Sequence, residues 1–372
     1  MAEYKTLVKK IPVSPDKKTK QKDYLKKGRL PIVDQGQSLV GGYTDDTDMA
    51  VKCELPVIVF GDHTRAVKYI TFPFGAGADG IKVLQPKENI LPPFLYYGTQ
   101  YIVAKMPNRG YARHYQYVEK EDLPVPSLPE QERIVARIEE LFSQLDAGVE
   151  TLKKTKAQLA VYRQAVLKEA FSCCAEKKPI REMSSVVTSG SRGWAKYYCD
   201  NGAKFIRIGN LTRNKIYIDL DDIQHVQLPD KAEGTRTKLA PNDVLVSITA
   251  DLGSIGLVPN GIGEAYVNQH IAMIRFNNQM QGEFYAWYLR SEYGQQDLLR
   301  NKRGGGKLGL GLDDIRDSRV PVVSNETAES ILSIIECRLS ICDSIEQTVD
   351  AALQQAEAMR QSILKDAFEG RL

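Results

Sequence analysis

The sequence predicts an α+β protein: two mixed α/β blocks separated by two long antiparallel coiled-coil helices, related by a pseudo-twofold internal repeat. Three observations carry this expectation. A segment recurs 197 residues further along the chain. Apolar residues return at every seventh position through both copies of that segment. The stretches ahead of the copies break into short β-rich runs punctuated by Gly, Asn and Asp.

The first block is expected over residues 1–122 and the second over 174–318. Their parts correspond in order. Tyr24-Leu-Lys-Lys-Gly28 resembles Tyr198-Cys-Asp-Asn-Gly202, and each leads into an apolar strand, Ile32-Val33 or Phe205-Ile206. Pro56-Val-Ile-Val59 matches Asp243-Val-Leu-Val246, and Ile81-Lys-Val-Leu84 matches His270-Ile-Ala-Met-Ile274. Phe284–Leu289 reads as a helix, with Pro93–Tyr97 as its counterpart.

Residues 123–173 and 319–372 are the two helical segments. Ala165-Val-Leu-Lys-Glu-Ala-Phe171 in the first returns as Ser362-Ile-Leu-Lys-Asp-Ala-Phe368 in the second. At the same offset Arg163, Asp146, Ile138, Ile134 and Pro124 meet Arg360, Asp343, Ile335, Ile331 and Pro321. The packing seam of the first helix is Ile138, Leu145, Leu152, Leu159 and Val166, with Ile134, Leu141, Gly148, Thr155 and Tyr162 beside it. That of the second is Ile335, Cys342, Val349, Ala356 and Ile363, with Ile331, Arg338, Ile345, Ala352 and Met359 beside it. Ser127-Leu-Pro129-Glu-Gln-Glu-Arg133 suits a helix start: a serine cap, a proline in the first turn and acids at the positive end of the dipole. From Pro129 to Phe171 a continuous helix measures about 64 Å at ~1.5 Å per residue, roughly 19 base pairs at ~3.4 Å each. A dimerisation coiled coil is the competing reading, and two copies in one chain weigh against it.

With 372 residues and 42% hydrophobic content the chain can build two or three ordinary cores. No run of 18 apolar residues exists, and Met1-Ala-Glu-Tyr-Lys5 is not of signal-peptide type, so the expectation is a cytoplasmic protein away from membranes. Cys53, Cys173, Cys174, Cys199, Cys337 and Cys342 form no C-x-x-C pair, which argues for free thiols and against a zinc site. Positive charge sits in the blocks: 19 Lys/Arg against 14 Asp/Glu in residues 1–122 and 19 against 17 in 174–318. The helical segments are balanced (7 against 7 in 123–173) or acidic (5 against 9 in 319–372). Nucleic-acid-binding modules on charge-neutral spacers have this distribution, as do many other proteins.

Two motifs tempt and fail. Phe72-Pro-Phe-Gly-Ala-Gly-Ala-Asp-Gly80 followed by Leu91-Pro-Pro-Phe94 imitates an amino-methyltransferase. Leu91, however, stands where an Asn or Asp must accept a hydrogen bond from the target amine, and too little chain separates the motifs for a cofactor-binding βαβ unit. The glycines read instead as a turn ahead of the strand at Ile81. Gly304-Gly-Gly-Lys307-Leu308 lacks the hydroxyl residue of a phosphate loop. No catalytic residue and no metal ligand is therefore assigned.

Phosphate contacts need Lys, Arg and small polar groups, and base contacts need long polar side chains on loops. The candidates for DNA contact in the first block are Lys17, Lys18, Lys20, Lys22, Lys26, Lys27, Arg29, Gln35, Gln37, His63, Thr64 and Arg65. In the second they are Ser191, Arg192, Asn210, Thr212, Arg213, Asn214, Arg236, Lys302, Arg303 and Lys307. Each could equally be part of a solvated loop.

Leu123-Pro-Val-Pro-Ser-Leu-Pro-Glu-Gln-Glu-Arg-Ile134, followed by a heptad helix ending Leu167-Lys-Glu-Ala-Phe171, resembles the specificity subunit of type I restriction-modification enzymes, and the resemblance covers essentially the whole chain. It implies that each block is a target recognition domain reading one half of a bipartite, asymmetric site on double-stranded DNA. It implies that the helices set the unread gap and dock two methyltransferase (modification) subunits, to which up to two motor-nuclease (restriction) subunits add. It places S-adenosylmethionine, ATP and magnesium in those partners, so that this chain carries no cofactor and is not itself an enzyme. Departures exist. Val320-Pro-Val-Val-Ser-Asn-Glu-Thr327 lacks the second proline and the Pro-Glu-Gln, and the first block shows no clear match to Pro179-Ile-Arg-Glu-Met-Ser-Ser-Val-Val-Thr-Ser-Gly190. The competing functions are a stand-alone DNA adenine methyltransferase, which predicts S-adenosylmethionine binding by the isolated chain, and a coiled-coil scaffold that does not touch DNA.

Overall fold

The computed structural model describes residues 1–77, 80–107, 110–213, 215–229, 235–300 and 309–372. It forms two compact units, one of Met1–Lys154 with Val349–Leu372, the other of Thr155–Thr348. We label the longer helices α1 (Pro92–Lys105), α2 (Leu128–Ala170), α3 (Gly282–Arg290) and α4 (Asn325–Phe368).

The first unit is built on an antiparallel sheet ordered Val8–Ile11, Ile81–Pro86, Val57–Gly61, Val67–Ile70. Val57–Gly61 is buried throughout, as an apolar strand covered on both faces must be. Its side chains alternate between two cores. Ile58 and Phe60 join Phe94, Leu95 and Ile102 of α1, while Val57 and Val59 join Val33, Phe74 and Ala76 of a smaller sheet. That sheet is ordered Lys18–Thr19, Gly75–Gly77, Leu30–Val33, Gly42–Thr44. The glycines read as a turn thus form a strand: Gly75 and Ala76 pair in parallel with Ile32 and Val33. A side chain at Gly77 would strike Asp34 and Tyr24 at 2.5 Å, so the strand needs its glycine.

The second unit repeats the plan. Its main sheet runs Ser184–Ser189, Ile271–Phe276, Val244–Ser247, Ile255–Leu257, and Ala203–Ile206 of its smaller sheet pairs antiparallel with Gln224–Val226 and parallel with Ala265–Val267. Val244 and Val246 face the helices, whereas Leu245 faces the smaller sheet with Ile206 and Val267.

The opening of the first block, unrecognised in sequence, is present in the structure. Ala2–Glu3 pairs with Asp122–Leu123 as Lys177–Pro179 pairs with Arg319–Pro321. The Tyr4 amide donates to Glu121 O at 2.8 Å, as the Ile180 amide donates to Ser318 O at 2.8 Å. Tyr4 and Ile180 are both fully buried. Glu3-Tyr-Lys-Thr-Leu7 therefore does the work of Pro179-Ile-Arg-Glu-Met183. Backbone pairing and one buried anchor define this corner, and they constrain the sequence loosely.

Helices α2 and α4 run antiparallel within each unit. In the first, Asp146 pairs with Arg360, and Arg133 donates to Leu372 O at 2.9 Å. In the second, Lys156 and Arg163 reach Glu346 (3.5 and 2.9 Å) and Glu169 pairs with Arg338. The seam residues Ile138, Leu159, Val166, Ile335, Cys342, Val349 and Ala356 are buried, and Leu145, Leu152 and Ile363 are half-buried. The companion line is much drier only at Ile134 and Ile331; Gly148, Tyr162, Ile345 and Met359 lie exposed. Phe368 packs on Phe94 and Tyr101 of α1 (ring centroids 5.0 and 5.3 Å), while its repeat-mate Phe171 packs on Phe284 and Tyr288 of α3 (both 5.4 Å). No helix among the described residues is long and apolar enough to cross a membrane.

Candidate nucleic-acid interface

Three loops meet in each unit, and they are the same three: the one leaving the strand of the smaller sheet, the one joining the central and edge strands of the main sheet, and the one entering the last strand of the main sheet. In the first unit these are residues 34–37, 61–66 and the approach to Ile81. The His63 amide donates to Gln35 Oε1 at 3.4 Å and the Thr64 hydroxyl donates to Gln35 O, so the segments that carry Gln35, Gln37, His63, Thr64 and Arg65 come together. Asp62 N–H closes the third side on Gly80 O at 2.6 Å. Arg65 sits at φ +60°, the left-handed region that tight reversals require, and its guanidinium donates to Met106 O at 3.4 Å.

Buried charge holds this cluster. Lys68 is 4% exposed; its ammonium donates to Asp34 O at 2.8 Å and lies 3.5 Å from the Asp34 carboxylate. Burial pushes the Lys68 pKa down, against the pull of Asp34. Asp62 accepts from the Tyr115 amide at 2.9 Å and pairs with Lys82 at 3.4 Å. Tyr111, 84% exposed, stacks on His63 at 4.3 Å; sequence reading missed it.

The lysine run lies on short turns around the strand Lys18–Thr19, which pairs with Ala76 and Gly77. Lys17 donates to Asp48 O at 3.0 Å, Lys18 is half-buried, and Lys20, Lys22, Lys26, Lys27 and Arg29 are exposed.

In the second unit the three loops are 207–213, 248–254 and 268–270. Arg213 reaches Asp251 at 2.6 Å, joining the first two. Thr249 Oγ1 lies 2.7 Å from His270 Nδ1, joining the second to the third, and Gln269 Nε2 lies 2.9 Å from His270 Nε2. Hydrogen bonds from Arg213 and then Ser254 hold the Asp251 carboxyl below its ordinary range. Ala250 sits at φ +58°, as Arg65 does in the first unit. Asn210 is buried: its side chain accepts from Arg207 N–H at 2.8 Å and donates to Asp219 O and Asp222 O, so its amide shapes the loop from inside. Thr212 is half-buried and accepts from Lys215 N–H at 3.3 Å. Exposed Arg236 donates to Ser189 O at 3.3 Å, which places it beside the turn carrying half-buried Ser191 and exposed Arg192. Asn214, Lys302, Arg303 and Lys307 lie outside the described residues. Thr249, Gln269 and His270 were missed; the signal available was a Gln-His pair ahead of an apolar strand, mirroring Asp62-His63 after one. Among the described residues no group of three or more His, Cys, Asp and Glu could hold a metal ion.

Residues 10–160 and 176–355 match the family described as Type I restriction modification DNA specificity domain. This chain belongs to that family. Within it, the chain is 26% identical over 280 residues to the EcoBI specificity subunit of a type I restriction enzyme from Escherichia coli, the match covering 67% of this chain and 58% of that one. It is 27% identical over 273 residues to the StySPI specificity subunit from Salmonella potsdam, covering 68% and 58%. The match thus spans 58% of the length of these two relatives. A solved chain from work on complex assembly and conformational transition of the type I R-M system shares the fold, with TM-score 0.71 at 16% identity over 100% of this chain and 97% of that one.

Proposed function

We propose that this family member is the non-catalytic DNA sequence-specificity subunit of a type I restriction-modification complex, each block reading one half of a bipartite, asymmetric site. One observation carries the reading: the two units repeat the same three-loop backbone cluster while carrying different polar side chains. Gln35, His63, Thr64 and Tyr111 stand in one, and Arg213, Thr249, Gln269 and His270 in the other. A repeated scaffold offers each half-site the same approach, and unlike side chains read unlike base edges. The paired helices set the number of unread base pairs and dock two methyltransferase subunits, with up to two motor-nuclease subunits joining. S-adenosylmethionine, ATP and magnesium belong to those partners, and the complex works in the cytoplasm.

Exchanging residues 175–318 for the block of another family member tests this. Methylome sequencing of cells expressing the chimera with its methyltransferase should show one half-site replaced and the other intact. A motif changed in both halves, or in neither, overturns the reading.

A further inference from the structure

Arg290 closes α3 in the second unit and is half-buried against Trp287, with its guanidinium carbon 5.6 Å from the ring. Its one hydrogen bond among the described residues is to Lys215 O, at 2.7 Å. No carboxylate among the described residues pairs with it. The neighbouring arginines are compensated: Arg213 by Asp251, and Arg163 by Asp343 and Glu346. Glu292, the one carboxylate among the described residues that line the adjoining pocket, is held by Lys168 at 3.0 Å. A partly buried cation without a counter-charge is costly, and two like charges nearby add to the cost. The effect is large enough that burial, then Arg163 and Arg213, push the Arg290 pKa down to about 10.

The pocket beside Arg290 has a volume of about 410 Å³, and Arg213, Thr212 and Ser254 also line it. We propose that this pocket binds a phosphate-class oxyanion between Arg290 and Arg213. The planar guanidinium of Arg290 has donors left after Lys215 O is served, and a fork of that kind matches two phosphate oxygens. The Thr212 hydroxyl accepts from Lys215 N–H and has its own proton to donate. An anion there supplies the charge that the protein withholds. The oxyanion is either a phosphodiester of bound DNA or a free phosphate compound. The site itself does not depend on the DNA-reading proposal; only its DNA source does.

Two measurements on the full chain separate the cases. In the first, thermal unfolding is followed in inorganic phosphate and in sodium chloride of equal ionic strength, for the wild type, Arg290→Gln and Arg290→Lys. In the second, duplex DNA binding by the complex with the methyltransferase partner is followed against salt. A free-anion site raises the wild-type Tm in phosphate beyond chloride; Arg290→Gln abolishes the rise, Arg290→Lys keeps part of it, and the salt dependence of DNA binding is unchanged. A phosphodiester site lowers the log–log salt slope of Arg290→Gln by about 1 while the methylated sequence stays the same. The proposal is overturned if phosphate and chloride act alike on the wild type and the salt slope of Arg290→Gln equals that of the wild type. Equal stabilisation of all three chains by phosphate also overturns it. Arg213→Gln, at an exposed side chain, repeats the comparison without loss of the Lys215 bond.

Discussion

Gln131 and Gln281 show how two halves of a duplicated chain reach one result by different residues. Gln131, fully buried near the start of α2, accepts from Leu91 N–H at 2.8 Å and donates to Asn89 O and Pro126 O at 3.0 and 2.9 Å. Its repeat-mate is Ala328, and the missing clamp is supplied from the block side: Gln281 donates to Val323 O at 3.2 Å and to Asn325 Oδ1 at 2.8 Å. The Pro-Glu-Gln lost from the second helix start is thus replaced by another residue's amide. Gln131→Ala removes the side-chain partner of three backbone groups at the half-buried helix start and is expected to destabilise the chain by about 1–2 kcal/mol, as urea unfolding would measure. The Arg213–Asp251 bridge makes a pH-dependent prediction. A carboxyl whose pKa is depressed by folding adds stability above its unfolded value, here 3.8, and loses it as pH falls through the lower folded value. The Tm advantage of wild type over Asp251→Asn should therefore be full at pH 5–7 and shrink below about pH 4.

The elements were legible to different degrees. Both long helices follow from the seven-residue period, because a side chain's place on a helix depends on spacing alone. The period also gave the seam, but the companion line lies exposed at Gly148 and Tyr162, since the helices meet along one row where no block covers them. A side chain at Gly148 would meet nothing within 4 Å, so Gly148→Ala should stabilise the chain by up to about 1 kcal/mol in chemical denaturation. The central strands were legible as unbroken apolar runs. The strand Gly75–Gly77 was not, because Gly77 answers to the nearness of Asp34 and Tyr24, residues 43 and 53 positions away that no local pattern reports.

The whole molecule follows from the repeat. The offset of 197 residues pairs Phe171 with Phe368, and it also pairs Glu121 O with Ser318 O, the acceptors for Tyr4 and Ile180. If the helices set the unread gap, inserting one heptad after Leu152 lengthens α2 by about 10 Å. Methylome sequencing should then show a longer spacer between unchanged half-sites; altered half-sites would count against the ruler. Period, repeat and apolar runs were present in the linear order, since each depends only on the spacing of residue types. Which polar side chains stand together depended on the tertiary fold. Long polar side chains on loops carry no period, so Gln35 meets His63, and Arg290 stands beside Arg213 without a carboxylate partner among the described residues, only because packed sheets and helices bring distant loops into register.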